Sequence, residues 1–253
     1  MDLELAGRRA VVIGGTRGIG RAIVERLAAE GCAVALCARN EAQVQATATE
    51  LSIPGLPIVG RSVDASDHDA LARFVHESAE QLGGLDVFVM NASGAFGGGN
   101  DDESWRRGVE VDILGTVAGC EAAIPHLTAS GAGAIVAVGT VSAIEAVGPR
   151  RAYNSVKAAV IPYIKSIARE LAPAIRANVV SPGQIYFEGG VWDLVRQHAP
   201  HRYQDALDRN PMRRMGNPAE VADAVAFLAS QRAGFISGTN LLVDGARTQN
   251  VQY

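Results

Sequence analysis

Short apolar runs rich in β-forming residues alternate with longer helical patterns along the whole chain, and this alternation constrains the fold more than any other feature. The runs are Arg9–Ile13, Ala33–Ala38, Leu56–Val63, Leu85–Met90, Ala134–Val138, Ala177–Val180 and Asn240–Val243. A helix-like stretch follows each of the first six, which is the pattern of βαβ units. Right-handed crossovers then place helices on both faces of a parallel sheet. Runs such as Ala134–Val138 are near-continuously apolar, as strands buried on both faces must be. The expected class is α/β, a single doubly wound domain over residues 1–253 with a seven-stranded parallel sheet. Gly94–Asn100 and Pro182–His201 read as irregular. Both follow strands, on the sheet edge where open α/β folds take ligands.

The first run leads directly into Gly14-Gly15-Thr16-Arg17-Gly18-Ile19-Gly20, where a helical pattern (Ile19, Ile23, Leu27) begins. Glycines allow a sharp turn and close approach of backbone to a pyrophosphate, and a helix N-terminus supplies free N–H groups there. The second run ends in Cys37-Ala38-Arg39-Asn40 with no carboxylate for a ribose 2′-hydroxyl. Arg39 can stack and fork onto a 2′-phosphate, with Arg17 on the same side, so NADP(H) is expected over NAD(H).

Tyr153-Asn154-Ser155-Val156-Lys157 opens a long helical stretch, and four-residue spacing puts Tyr153 and Lys157 on one face. A free phenol has a pKa of about 10, and a neighbouring ammonium lowers it by favouring phenolate.

The G-x-x-x-G-x-G turn followed by Y-x-x-x-K resembles the short-chain dehydrogenase/reductase family, in particular its 3-oxoacyl-carrier-protein reductase-like ketoreductases, over nearly the whole chain. The resemblance implies a Rossmann-type domain that transfers a hydride between NADP(H) and a carbonyl or secondary alcohol. It makes Tyr153 the general acid or base, and Lys157 its tuner and a donor to the nicotinamide ribose. The family's serine aligns with Thr140, with Ser142 as runner-up, and its helical asparagine aligns with Asp112. Cofactor contacts are implied for Gly14, Thr16, Arg17, Gly18, Ile19, Gly20 and Arg39. They are also implied for Asp64 at the adenine, for Asn91 and Ala92 after the fourth strand, and for Pro182, Gly183 and Ile185 under the nicotinamide. Ile13, Ser93, Asp112, Thr140 and Phe187 depart from the family pattern. They leave open a cofactor-binding sensor or scaffold; within enzymes the alternative is an NAD-dependent alcohol dehydrogenase, against which the missing acid after the second strand speaks. Assembly as a homodimer or tetramer is also implied.

The substrate lid is expected at about residues 184–210. Gln184, Tyr186, Phe187, Trp192, Phe96 and Ser142 are the candidate pocket residues, and aromatics clustered there in a chain only 5% aromatic suggest a bulky apolar ketone. His198 and His201 lack a carboxylate or Cys to complete a metal site, so no metal is expected. A net charge of −4 with no basic run speaks for a small-molecule partner over nucleic acid. Cys32, Cys37 and Cys120 form no C-x-x-C pair and read as small core residues. Met1–Arg9 has no apolar signal core, and no run reaches the roughly 18 apolar residues of a membrane span, so no membrane partner and a cytoplasmic location are expected.

Overall fold

A computed structural model describes residues 2–94, 99–146 and 150–251. Seven strands, β1 (Arg9–Ile13), β2 (Ala33–Ala38), β3 (Ile58–Ser62), β4 (Val87–Met90), β5 (Gly133–Val138), β6 (Ile175–Pro182) and β7 (Asn240–Val243), form one sheet in the order β3-β2-β1-β4-β5-β6-β7. Every adjacent pair is parallel. The order reverses between β1 and β4, so the loops leaving those strands diverge and open a crevice at the C-terminal edge.

Period-two alternation assigns each strand residue to one of two cores. Val11, Ile13, Phe88, Met90, Ile135 and Ala137 face one side, with α3 (His68–Leu82), α5 (Gly115–Ser130) and α6 (Ala152–Glu170) packed over them. Ala10, Val12, Val87, Val89, Val136 and Val138 face the other, under α1 (Gly18–Ala29) and α9 (Pro218–Ala229). Helix α2 (Glu41–Glu50) flanks β3 and α4 (Asp102–Gly108) precedes α5. Full burial of a residue such as Phe88 or Ile135 contributes about 1.5–3 kcal/mol, and the central strands consist of little else.

Helix ends follow local rules. Asp67 caps α3 by accepting from Ala70 N–H at 2.9 Å, and Gly83 ends that helix in the left-handed region. Asn217 and Glu220 form a reciprocal capping box on α9, with Pro218 in its first turn. The buried Arg176 of β6 donates to the Leu228, Ala229 and Ser230 carbonyls at the other end of α9.

One expectation needs correction. The stretch Pro182–His201 is not irregular throughout: α7 (Val191–His198) occupies its second half, and α8 (Pro200–Arg209) follows at once. The glycines before Val191 conceal the brevity of a helix whose Asp193 sits in its first turn. Between α4 and α5 the backbone widens to a π-helical segment, Val109–Leu114, which a period of 3.6 residues does not reveal. Cys32, Cys37 and Cys120 are free and buried, and burial pushes the Cys32 and Cys37 thiols up to about 12. Among the described residues no helix is long and apolar enough to cross a membrane.

Candidate active site

The glycine turn is built by close backbone approach. Gly14 and Gly15 N–H both donate to the Cys37 carbonyl, at 2.8 and 3.1 Å, tying the turn to β2. Asn91 Nδ2, at the end of β4, donates to Gly14 O at 2.8 Å and spans the switch point. A Cβ on Gly20 would run into that same Gly14 oxygen, so only glycine lets α1 start this close to β1. Arg17 precedes α1 in extended conformation without a side-chain cap, and the first turn carries no acid. Its N–H groups and dipole end carry no competing acid and are the donors an anion would meet there. Arg17 and Arg39 are both exposed and form no ion pair among the described residues. This donor set fits a dinucleotide that carries a pyrophosphate and a 2′-phosphate.

One side chain already lies against that cradle. A Cβ placed on Gly18 would stand 2.6 to 2.9 Å from three atoms of the Phe187 ring, and one on Gly190 would meet the ring's Cζ at 2.9 Å. Phe187 is thus held between two glycines, over the start of α1. Asp64 is engaged by Arg107 at 2.9 Å and by the Ser66 hydroxyl at 2.8 Å. Burial pushes its carboxyl up, but the Ser66 and Arg107 donors outweigh it and the net shift is downward.

At the chemical end, α6 begins at Ala152 and presents Tyr153 and Lys157 one turn apart. Lys157 Nζ donates to Val138 O at 3.0 Å and lies 3.1 Å from Asp112 Oδ1. The other Asp112 oxygen accepts Gly94 N–H at 2.9 Å. Asp112 is fully buried in the π-helical widening, which turns it toward α6. Two donors converge on it from different sides. A carboxylate offers each an oxygen, whereas an asparagine would turn its NH₂ toward one of them. Thr140, at the end of β5, is hydrogen-bonded through its side chain to Tyr153, and its Oγ1 accepts Ser142 N–H at 3.3 Å. Thr140 is therefore a hydroxyl joined to the phenol.

The tuning of Tyr153 runs opposite to the simple expectation. Burial of the hydroxyl raises its pKa well above the usual phenol, Thr140 opposes this, and the Asp112 charge adds to the rise. The Lys157 ammonium, one turn along the helix, is itself paired with the Asp112 carboxylate. The site therefore holds a neutral phenol, a proton donor, beside a second hydroxyl.

The lid side departs from expectation in the use of its aromatics. Pro182 ends β6, and Gly183 N–H donates to Val243 O at 2.9 Å, close against Asp244. Gln184 O and Gly216 N–H pair at 2.9 Å, and the buried Ile185 bridges to Gly216. Tyr186 donates its hydroxyl to Asp193 at 2.9 Å, meets Tyr203 edge-on, and carries the Arg196 guanidinium over its ring at 4.9 Å. It organises the lid and does not project as a free pocket wall. Asp193, which also accepts Gly189 N–H and Gln197, is the hub that sequence reading missed; an acid in a helix's first turn was the available signal. Trp192 is half-buried on α7, and His198 and His201 are exposed. Phe96 lies outside the described residues. Among the described residues no group of three or more His, Cys, Asp or Glu is placed to hold a metal.

Residues 13–247 match the family model described as enoyl-(acyl carrier protein) reductase. The chain is 34% identical to isoepoxydon dehydrogenase patN of Penicillium expansum, covering 98% of each protein. It is 35% identical to the 3-oxoacyl-[acyl-carrier-protein] reductase MabA of Mycobacterium tuberculosis, over 94% of this chain and 92% of that one. Its structure is similar to that of L-sorbose reductase from Gluconobacter frateurii, solved with NADPH and L-sorbose. The TM-score is 0.90 at 28% identity, covering 99% of this chain and 100% of the other.

Proposed function

The chain belongs to the short-chain dehydrogenase/reductase family and is an NADP(H)-dependent oxidoreductase of small carbonyl or alcohol substrates; from that premise we propose that it is a ketone reductase with Tyr153 as the proton donor. The observation that carries this reading is the Tyr153 phenol hydrogen-bonded to Thr140, with Lys157 one turn along the same helix.

The glycine turn from Gly14 to Gly20 would hold the pyrophosphate on the first N–H groups of α1. Arg17 and Arg39 would neutralise the 2′-phosphate. NADPH supplies the hydride when bound. Thr140 and Tyr153 donate to the carbonyl oxygen, and Tyr153 gives up its proton as negative charge grows there. A positioned proton donor of this kind contributes roughly 10²–10⁴-fold to rate. Lys157 and Asp112 hold the floor of the site by tying α6 to β5 and to the loop after β4. Alcohol oxidation uses the phenolate, which burial and Asp112 both oppose, so oxidation is expected to need higher pH than reduction. An assembled Thr140–Tyr153 pair with Lys157 intact is also more than a cofactor-binding scaffold requires.

The decisive assay follows NADPH consumption with a panel of ketones in the native protein and in Tyr153→Phe. Turnover by the native chain that falls at least about a hundredfold in the variant, with NADPH binding retained, is the expected result. Full turnover by Tyr153→Phe would overturn the assignment. Self-association is proposed as well, because Phe235 and Trp105 are exposed, and sedimentation of the native protein as a monomer would refute it.

A further inference from the structure

A polar side-chain atom that has lost water without gaining a partner is unfavourable, and folded proteins keep few of them. Arg26 Nε and Asp112 Oδ1 each face an ion-pair partner. Beyond those two, the buried side-chain polar atoms without a hydrogen-bond partner among the described residues are Ser93 Oγ, Glu145 Oε2, Gln184 Oε1 and Arg247 Nε. Their places in the fold are not scattered. Ser93 follows β4, Glu145 follows β5, Gln184 follows β6 and Arg247 follows β7. These are the four successive loops on the catalytic side of the switch point, at the sheet edge where Tyr153 and Thr140 meet.

We propose that these atoms form the polar lining of the substrate site, and that the substrate is a ketone carrying a further hydroxyl group, which donates to the Glu145 carboxylate. The proposal rests on the reductase reading above and names its substrate class. Glu145 and Gln184 present oxygens that only accept, Ser93 can do either, and Arg247 alone is restricted to donating. A complementary ligand therefore brings hydroxyl donors. Glu145 is the charged acceptor of the set. Its Oε1 is already approached by Gln249 N–H at 3.4 Å, a contact that links the loop after β5 to the segment after β7 and leaves Oε2 for a ligand. An ammonium donor fits less well, because Arg247, two residues from Gln249 in the same segment, already brings a cation to this side. A purely apolar ketone would leave all four atoms unmet. Two of the aromatics that suggested such a ketone are also engaged elsewhere, Tyr186 with Asp193 and Phe187 with Gly18.

Initial rates with NADPH on matched pairs test this: butan-2-one against 1-hydroxybutan-2-one, and cyclohexanone against 2-hydroxycyclohexanone. Each pair is run with the native protein, Glu145→Gln and Glu145→Ala. Comparing the hydroxyl preference between proteins cancels the intrinsic reactivity of each ketone. A hydrogen bond to a buried charge predicts that the kcat/KM preference for the hydroxy ketone falls about tenfold to a hundredfold in Glu145→Ala, chiefly through KM. Glu145→Gln, which keeps an acceptor without its charge, retains part of the preference. NADPH affinity, measured separately, reports that each variant is folded. A preference that is the same in all three proteins overturns the proposal while leaving the reductase reading intact. If no ketone turns over, the reductase reading fails on its own. Calorimetric binding of 1-hydroxybutan-2-one to the NADPH-loaded protein then decides: binding weakened at least tenfold in Glu145→Ala supports the Glu145 site, and absent or unchanged binding overturns it.

Discussion

Asp112 and Lys157 form an ion pair of 3.1 Å with both side chains buried, and the carboxylate spends its second oxygen on the Gly94 N–H. The pair neutralises the ammonium one turn from Tyr153, and the Asp112 charge adds to the upward push of burial on the phenol. In Asp112→Asn that charge is gone, so Tyr153 ionises at lower pH. The rising limb of alcohol oxidation and the falling limb of ketone reduction both move to lower pH. Rate profiles in the two directions measure this, and unmoved limbs would falsify the role given to Asp112. Removing one partner of a buried pair also costs about 3–5 kcal/mol, visible as a lower Tm.

Phe187 covers the first turn of α1, where the pyrophosphate belongs. Replacing it with threonine uncovers Gly18, so Phe187→Thr is expected to bind NADPH faster and more tightly. The nucleotide-free protein should lose about 1–2 kcal/mol of stability with the ring's burial. Stopped-flow nucleotide fluorescence reads the first effect and thermal unfolding the second. Association rates equal to those of the native protein would mean that the ring does not compete with the cofactor.

Arg39 stands at the end of β2 without an ion-pair partner among the described residues. A charge-assisted fork to a phosphate contributes about 1.5–3 kcal/mol. Arg39→Ala should therefore weaken NADPH by roughly 10- to 150-fold while changing NADH little. Equal loss for both nucleotides would place Arg39 away from the 2′-phosphate.

Asp86 locks the start of β4 to β1. Its buried carboxylate accepts from Arg9 Nε at 2.7 Å, from Arg9 Nη2 at 3.0 Å and from the Arg9 N–H at 2.9 Å. Burial pushes this carboxyl up, but the Arg9 donors and the Arg9 and Arg8 charges outweigh it and hold it below the usual carboxylate range. A depressed carboxyl stabilises the fold above the unfolded pKa and loses that contribution as pH falls through the folded one. Asp86→Asn should cost about 2 kcal/mol near neutrality, with the gap to the native protein closing in acid. Denaturant titrations at neutral and acidic pH compare the two, and a gap that stays constant with pH would refute the ionic origin.

Much of this protein is legible without its coordinates. The strands Arg9–Ile13, Ala33–Ala38 and Asn240–Val243 appear with the bounds read from their patterns; for the first two, burial on both faces restricts nearly the whole length to apolar residues. The glycine turn is legible for a similar local reason: Gly20 is dictated by the backbone oxygen beside it. Tyr153 and Lys157 share a helix face by spacing alone. What spacing could not supply was the environment of those groups. Whether Lys157 lowers the phenol's pKa depends on Asp112, which reaches α6 through a π-helical widening in another part of the chain. Tyr186 and Phe187 carry an aromatic signal that suggests a pocket wall, yet Asp193 and Gly18 decide where they point. Gln184 is legible as a pocket candidate and Ser93 as a departure from the family pattern, but Glu145 and Arg247 give no signal in the sequence, because an unmet hydrogen bond exists only once neighbouring chain has excluded water from the atom. Periodicity and backbone clearance act over a few residues and are written locally. Ionisation, burial and the convergence of loops depend on distances through space, and only the tertiary structure decided them.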